Sequence, residues 1–478
     1  MTRILRLLAF IAPLSSFAQD HFGLVNSNYT GADAVLLNPA RGVTQRTWLD
    51  ANVFGISAFA WNDHVGLSRS GPSLWSDLRA GLQGESGRIV LKESVTSGPK
   101  QGHAQAAVHG PAINVVLGRT AIGAHLRART ETHATNIPAH LARAITSGLD
   151  QAVVPGQRYR DTDMGLLSAS WSEFGASVSH TLLSRGRHML HAGLTANYLV
   201  AHHGAAVQVD VMDYTVLDSM VAVVHEVRGS YTLADPGLNV GKGFGMDLGL
   251  VYERTMEDAD DYRPHRASAG CTPMGYRYRL GVSITDMGGL SFAKGQSARL
   301  QGSSAQFQDY GSLAAADHAA LDSLLLASFT SSVSVAPMRV GLPTALRMQA
   351  DIRLVERFYV GVNAAQAIGD PSNLRMRRQN ALAFAPRFET KRFEAAIPVV
   401  FHAYRFTSPT VGLMVRVNNF VIGSDHLSSL FKKSDLYGMD LYVRAKVMLF
   451  RSPSCKGKAR KDAAEAAAAQ QQDTGSAK

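Results

Sequence analysis

Ionised side chains recur at alternate positions in several stretches of this chain. Arg127, Arg129 and Glu131 stand together, as do Asp247 and Glu253, Arg277 and Arg279, and Arg347, Asp351 and Arg353. Asp440, Arg444 and Lys446 form a further group, and Arg416 stands between. Rings of such charges around a pore select ions or polar headgroups. The same groups can instead pair with one another and hold a structure shut, and spacing leaves both readings open. Asn38-Pro39-Ala40 is a second candidate. Proline fixes φ and asparagine readily caps a local turn, so the triplet either positions a plug or makes a plain turn.

Other chemistry is thinly represented. Glu257, Asp258, Asp260 and Asp261 form an acidic run without the glycine-bearing loop of a calcium site. His202-His203 has nothing nearby to complete a ligand set, so no metal and no cofactor is expected. Gly241, Gly243 and Gly245 precede an alternating segment rather than a helix, which fails the context of a phosphate-binding loop. No G-x-S-x-G elbow occurs, and no Ser/His/acid constellation can be assembled from spacing, so no enzyme is expected. Lysine and arginine number 48 against 38 acidic residues, a formal charge of +10. These cations are scattered without a stripe, which argues against nucleic acid and for attraction to anionic outer-membrane lipid and lipopolysaccharide. The two cysteines, Cys271 and Cys455, exclude a disulfide scaffold. They pair only if the 255–274 loop and the C-terminal tail lie on the same side, which mass spectrometry under non-reducing conditions would show.

Period-two alternation must position these charges. Ile122, Ala124, Leu126 and Ala128 oppose His125, Arg127, Arg129 and Glu131. Leu346, Met348, Ala350, Ile352 and Leu354 oppose Arg347, Gln349, Asp351 and Arg353. Tyr276, Tyr278, Leu280, Val282 and Ile284 oppose Arg277, Arg279, Ser283 and Thr285. Successive side chains of a strand point to opposite faces, so each segment is a two-faced strand. About ten residues is what a tilted strand needs to cross a bilayer. Thirteen segments read this way: 47–61, 103–118, 120–135, 165–183, 187–202, 240–254, 275–290, 340–355, 357–368, 379–390, 392–403, 410–422 and 437–450. Single-chain bacterial barrels use even strand numbers, so a fourteenth is expected within 204–235, around Met220–Val227. Very short turns, such as Gly118-Arg119 and Glu356-Arg357, alternate with long connections at 62–102, 136–163, 203–239 and 291–340. That asymmetry between rims is typical of outer-membrane barrels.

Closure follows from backbone chemistry. Bilayer hydrocarbon offers no partner to N–H and C=O groups, and an open sheet would leave an edge unsatisfied. Burying the charged rows in a soluble sandwich core would be costlier than facing them into a lumen. The expected fold is therefore all-β: a closed antiparallel transmembrane barrel of about 14 strands over 47–450, with a short plug-like segment at 19–46. Residues 1–18 carry Arg3 and Arg6, an apolar stretch and Ser16-Phe17-Ala18, the pattern of a secretory signal. Residues 451–478 are polar and low in complexity, and read as a solvated tail.

Several stretches resemble known barrels. NYTGADAVLLNPA (28–40) is similar to the N-terminal "NPA" segment of fatty-acid-transporter-like (FadL-like) barrels and of related Bacteroidota secretion-associated barrels. GKGFGMDLGLVYE (241–253), YRLGVSITDMGGLSF (278–292), LPTALRMQADIRL (342–354) and VIGSDHLSSLFKKSDLYGMDLYVRAKV (421–447) resemble an uncharacterised family of Bacteroidota outer-membrane barrels. The resemblance covers most of residues 24–450. It implies about 14 strands, an N-terminal segment folded into the periplasmic mouth, and a transport or adaptor role. The tail departs from that pattern, in which the chain stops at the final strand. The expected function is passive movement of small or hydrophobic compounds across the cell outer membrane. The alternative is a non-transporting adaptor for secretion or surface-attachment machinery, with a periplasmic or surface protein as partner.

Overall fold

The computed structural model describes residues 21–69, 89–93, 98–147, 153–218, 221–234, 236–267, 270–303, 305–308, 327–369, 374–427 and 438–459. The signal-like residues 1–18, and the tail beyond 459, lie outside them. Fourteen antiparallel staves close a barrel. In circumferential order they begin Leu49–Asn62, Lys100–Leu117, Thr120–Ile137, Arg158–Arg185 and His188–Val216. Next come Val221–Ala234 in line with Gly241–Thr255, then Tyr276–Gly302, then Thr330–Gly341 in line with Ala345–Val355. Phe358–Ala367, Ala381–Glu389 and Phe393–Ala396 with Val399–His402 follow. Thr410–Val411 with Leu413–Val417, Phe420–Ser424 and Gly438–Leu449 complete the circuit. Leu49–Asn62 pairs with both Lys100–Leu117 and Gly438–Leu449, which seals the sheet.

The total of fourteen agrees with the expectation, but the fourteenth stave lies elsewhere. Residues 410–422, read as one strand, are two. They reverse at Asn418-Asn419, where Asn418 takes a positive φ of 50°. Asparagine tolerates this left-handed conformation better than most side chains. The segment expected to supply the missing strand does form one, Val221–Ala234, but it is the upper half of the stave that Gly241–Thr255 continues. The stretches 203–239 and 291–340 are thus strands for much of their length. They raise a tall sheet above the barrel, with helix Ala139–Ser147 placing Leu141 against an apolar cluster that includes Tyr214 and Val224.

The short turns at 118–119, 186–187, 356–357, 390–392 and 418–419 share one rim with the start of the first stave and the end of the last. One longer connection, residues 256–275, also lies there and straps part of the mouth. Ala259 N donates to Gly186 O (2.7 Å) and Arg119 donates to Asp260 O (2.9 Å). Cys271 is disulfide-bonded to Cys455 just past the last stave. Loop and tail therefore share a side, the condition that left pairing of the two cysteines open in the sequence.

Apolar side chains face outward along the staves, among them Ile122, Phe174, Leu194, Leu250, Leu280, Met348 and Leu441. A closed barrel with such a belt is a membrane-spanning structure. Leu250 is paired with Val282, which is paired with Met348, in an exposed row five to seven residues in from the short-turn rim on three adjacent staves. Leu250→Arg is expected to cost about 2–4 kcal/mol, as charge at the bilayer midplane does. Urea unfolding in lipid vesicles would read it, with Leu250→Ala as the uncharged control.

Candidate functional site: a plugged, charge-lined lumen

Residues 21–47 run inside the barrel, and nearly all are buried. The segment has little regular structure of its own: a single helical turn at Ala32–Val35 and a 3-10 turn at Pro39–Thr44. Arg41 ties its coils together by donating to Val25 O and Ser27 O, both at 2.8 Å. Asn38 caps the 3-10 turn by accepting from Ala40 N at 3.0 Å, with Pro39 at the first turn position.

The Asn38-Pro39-Ala40 triplet lies against a smooth strip of the wall. Gly193 and Gly249 are cross-strand partners, and Gly249 is partnered on its other side by Ser283. A Cβ at Gly193 would collide with the Pro39–Ala40 backbone, and one at Gly249 with the Asn38 side chain. Ser283 donates to Leu37 O at 2.8 Å, and Asn38 Nδ2 donates to Leu250 O (3.3 Å) and Val282 O (3.4 Å). Farther along, Asn114 Nδ2 donates to Gly42 O at 2.9 Å.

Ion pairs and charged hydrogen bonds anchor the rest. Arg444 reaches Asp33 at 3.2 Å, and Lys446 reaches Asp33 at 3.4 Å and Asp50 at 3.2 Å. Asn28 donates to Glu389 through its backbone N (3.2 Å) and Nδ2 (2.9 Å), and Ser27 Oγ donates to Glu394 at 2.8 Å. Phe22 N donates to Asp425 at 2.8 Å. Burial, and after it the Arg444 guanidinium, hold the His21 imidazole of the plug well below its ordinary pKa, so it is neutral.

The wall charges pair with one another. Arg129 bonds Glu173 (2.9 Å), Asp286 (2.6 Å) and Glu131, and its guanidinium lies 4.8 Å from the Trp171 ring centre. Arg127 bonds Glu173 at 2.6 Å and Arg378 bonds Asp286 at 3.0 Å. Nearer the short-turn rim, Arg387 bonds Asp351 (3.0 Å) and Glu389 (3.2 Å), while Arg416 bonds Glu394 at 3.0 Å. Arg279 bonds Glu253 at 2.5 Å.

Twelve of the fourteen charges singled out in the sequence face the lumen: Arg127, Arg129, Glu131, Asp247, Glu253, Arg279, Arg347, Asp351, Arg416, Asp440, Arg444 and Lys446. Arg353 stands half-buried at the short-turn mouth. Arg277 does not belong with them. A register irregularity between Tyr276 and Tyr278 turns Arg277 outward and Tyr276 inward, where the Tyr276 hydroxyl donates to Asp351. Spacing also missed Glu173, Asp286, Arg387, Glu389 and Glu394 in the wall, Arg378 in the connection before Ala381–Glu389, and Asp33 in the plug. Glu173 had a readable signal, since it alternates with the outward Phe174.

Around the plug the free space is small. Cavities of about 10 Å³ beside Phe22, Phe59 and His402, and about 30 Å³ beside His21, Asp33 and Arg347, hold no more than a water or two. In this state the plug fills the lumen. Among the described residues no group of three or more His, Cys, Asp or Glu side chains is placed to hold a metal ion.

A family of unknown function, DUF5723, matches residues 39–425. No curated protein matches the chain. Among solved structures, the toluene transporter TbuX of Ralstonia pickettii is similar, with 11% identity and a TM-score of 0.42, over 91% of this chain and 99% of that one. A FadL homologue of Pseudomonas aeruginosa is similar with 11% identity and a TM-score of 0.39, over 91% and 96%. The toluene transporter TodX of Pseudomonas putida gives 11% and 0.39, over 89% and 95%.

Proposed function

Because the chain belongs to the DUF5723 family, which prescribes no activity, we propose a function from its lumen: a passive outer-membrane transporter of small or hydrophobic compounds, gated by its N-terminal segment. The carrying observation is that the lumen is closed by a piece of chain, not by the wall. Residues 21–47 meet the barrel through separable hydrogen bonds and ion pairs and contribute no strand to it. A segment of this kind can leave without opening the sheet. Toward the long-loop rim the plug's Phe22 meets Phe59 and Ala381 of the wall, with Gln105, Arg378 and His402 beside them. By the usual orientation of such barrels the short-turn rim faces the periplasm.

Deleting residues 21–46 tests the reading. The intact protein should be nearly silent in planar bilayers, and the deletion should conduct steadily. Liposomes holding the intact protein should take up a small apolar solute faster than empty ones. Silence of both forms in both assays would sink transport and leave a structural or adaptor barrel. Co-purification of a periplasmic or surface protein would then identify its partner.

A further inference from the structure

Beyond the plug-filled lumen, a vestibule of about 830 Å³ opens at the short-turn mouth. Tyr29 of the plug and Tyr359 of the wall, both buried, lie at its inner end. Cys271, Thr272 and Pro273 of the strap form one side. Arg451 stands four residues from Cys455, so the disulfide ties two sides of this space together.

Its charge is unbalanced. Six cations line it, Arg46, Arg353, Arg357, Lys391, Arg392 and Arg451, against Glu257, Glu356 and Glu389, an excess of 6 − 3 = 3 positive charges. The pairing is also uneven. Arg46 is held by Glu389 at 3.5 Å and donates to the Tyr359 hydroxyl at 2.9 Å, and Arg357 lies 3.3 Å from Glu356. Glu389 is further neutralised from inside the wall by Arg387. Lys391 lies over the Phe450 ring at 4.4 Å. Arg353, Arg392 and Arg451 have no carboxylate partner among the described residues, although almost every arginine in the lumen above them does.

We infer that this vestibule binds a multiply charged oxyanion of the phosphate class, held by Arg353, Arg392 and Arg451 at its mouth. Guanidinium forks match phosphate oxygens in bidentate geometry. Three surplus positive charges fit a dianion better than a single carboxylate. The ligand is either a soluble phosphate ester or the headgroup of a phosphorylated lipid at the adjoining membrane surface. The site stands apart from the transport reading, since binding does not require that the barrel conduct.

The test uses the full chain in detergent. Inorganic pyrophosphate is titrated calorimetrically, and micelles doped with phosphatidic acid are compared with micelles doped with phosphatidylcholine by measuring the lipid that stays with the purified protein. The wild type should bind pyrophosphate, or retain phosphatidic acid over phosphatidylcholine, and salt should weaken the binding. The variant Arg353→Gln, Arg392→Gln, Arg451→Gln should lose at least tenfold, and Arg392→Gln alone should lose less. A control, Arg158→Gln with Arg160→Gln on the tall sheet, should bind as the wild type. Pyrophosphate binding alone identifies a soluble ester, and retention of phosphatidic acid alone identifies a headgroup. If neither probe binds, if the triple variant binds undiminished, or if the control loses as much, the site is refuted.

Discussion

Arg129→Ala is expected to destabilise the barrel by about 3–5 kcal/mol, the cost of removing one partner from a buried ionic cluster. Arg129 is the common partner of Glu131, Glu173 and Asp286, and its side chain is almost fully buried. Arg127 still reaches Glu173 and Arg378 still reaches Asp286. Glu131 keeps only Arg378, at 3.8 Å, so three carboxylates would be left with two guanidinium groups. Trp171 would also lose the cation over its ring. Arg129→Lys keeps the charge but gives up the fork that spans three acids, and should fall between. Adding Glu131→Gln to Arg129→Ala removes the least-served carboxylate and should recover part of the loss. Urea midpoints followed by tryptophan fluorescence in detergent give the ordering. Equal midpoints for all four proteins would mean that water, not Arg129, neutralises these acids.

The alternating charge was legible because a barrel is the one membrane structure in which polar and apolar residues trade places along a strand. His125, Arg127 and Arg129 against Ile122 and Leu126 already contained the inside and the outside of one stave. Two misreadings have local causes. A single irregularity at Tyr276/Tyr278 leaves the faces after it as read and reverses those before it, which misassigned Arg277. The Asn418-Asn419 reversal interrupts the apolar rhythm so little that two staves looked like one. The anchors were hidden for a different reason. Asp33 meets Arg444 across 411 residues, and Ser27 meets Glu394 across 367. Those separations are set by closure of the cylinder, and no periodicity marks either end. Asn38-Pro39-Ala40 was visible as a turn, but its seat is made of glycines, whose absence of a side chain is no chemical signal.

That seat carries the second large effect. Gly249→Val should unseat the plug and make the full-length protein conduct, while the barrel itself stays folded. Any Cβ at this position points into the lumen and meets Asn38, and Pro39 Cδ lies only 3.1 Å from it. Asn38 has little room to retreat, because its side chain caps the following turn and its Nδ2 reaches Leu250 O and Val282 O. Gly193, paired with Gly249 on the neighbouring stave, faces the next residues of the plug in the same way, so Gly193→Val should act alike. Valine suits a strand, and the backbone pairing of both positions survives, so the folded barrel should keep its heat-modifiable mobility in gels. The reciprocal change locates the cause. In a Gly249→Ala background that conducts, Asn38→Gly removes the side chain that the new methyl meets and should restore closure, less the few tenths of a kcal/mol, roughly, that glycine costs in place of the cap. A channel that opens with Gly249→Ala and closes again with Asn38→Gly can be explained only by contact at this one place. A protein that remains silent with valine at both Gly193 and Gly249 has a plug that yields sideways, and the seal must then rest on the Asp33 and Glu394 anchors.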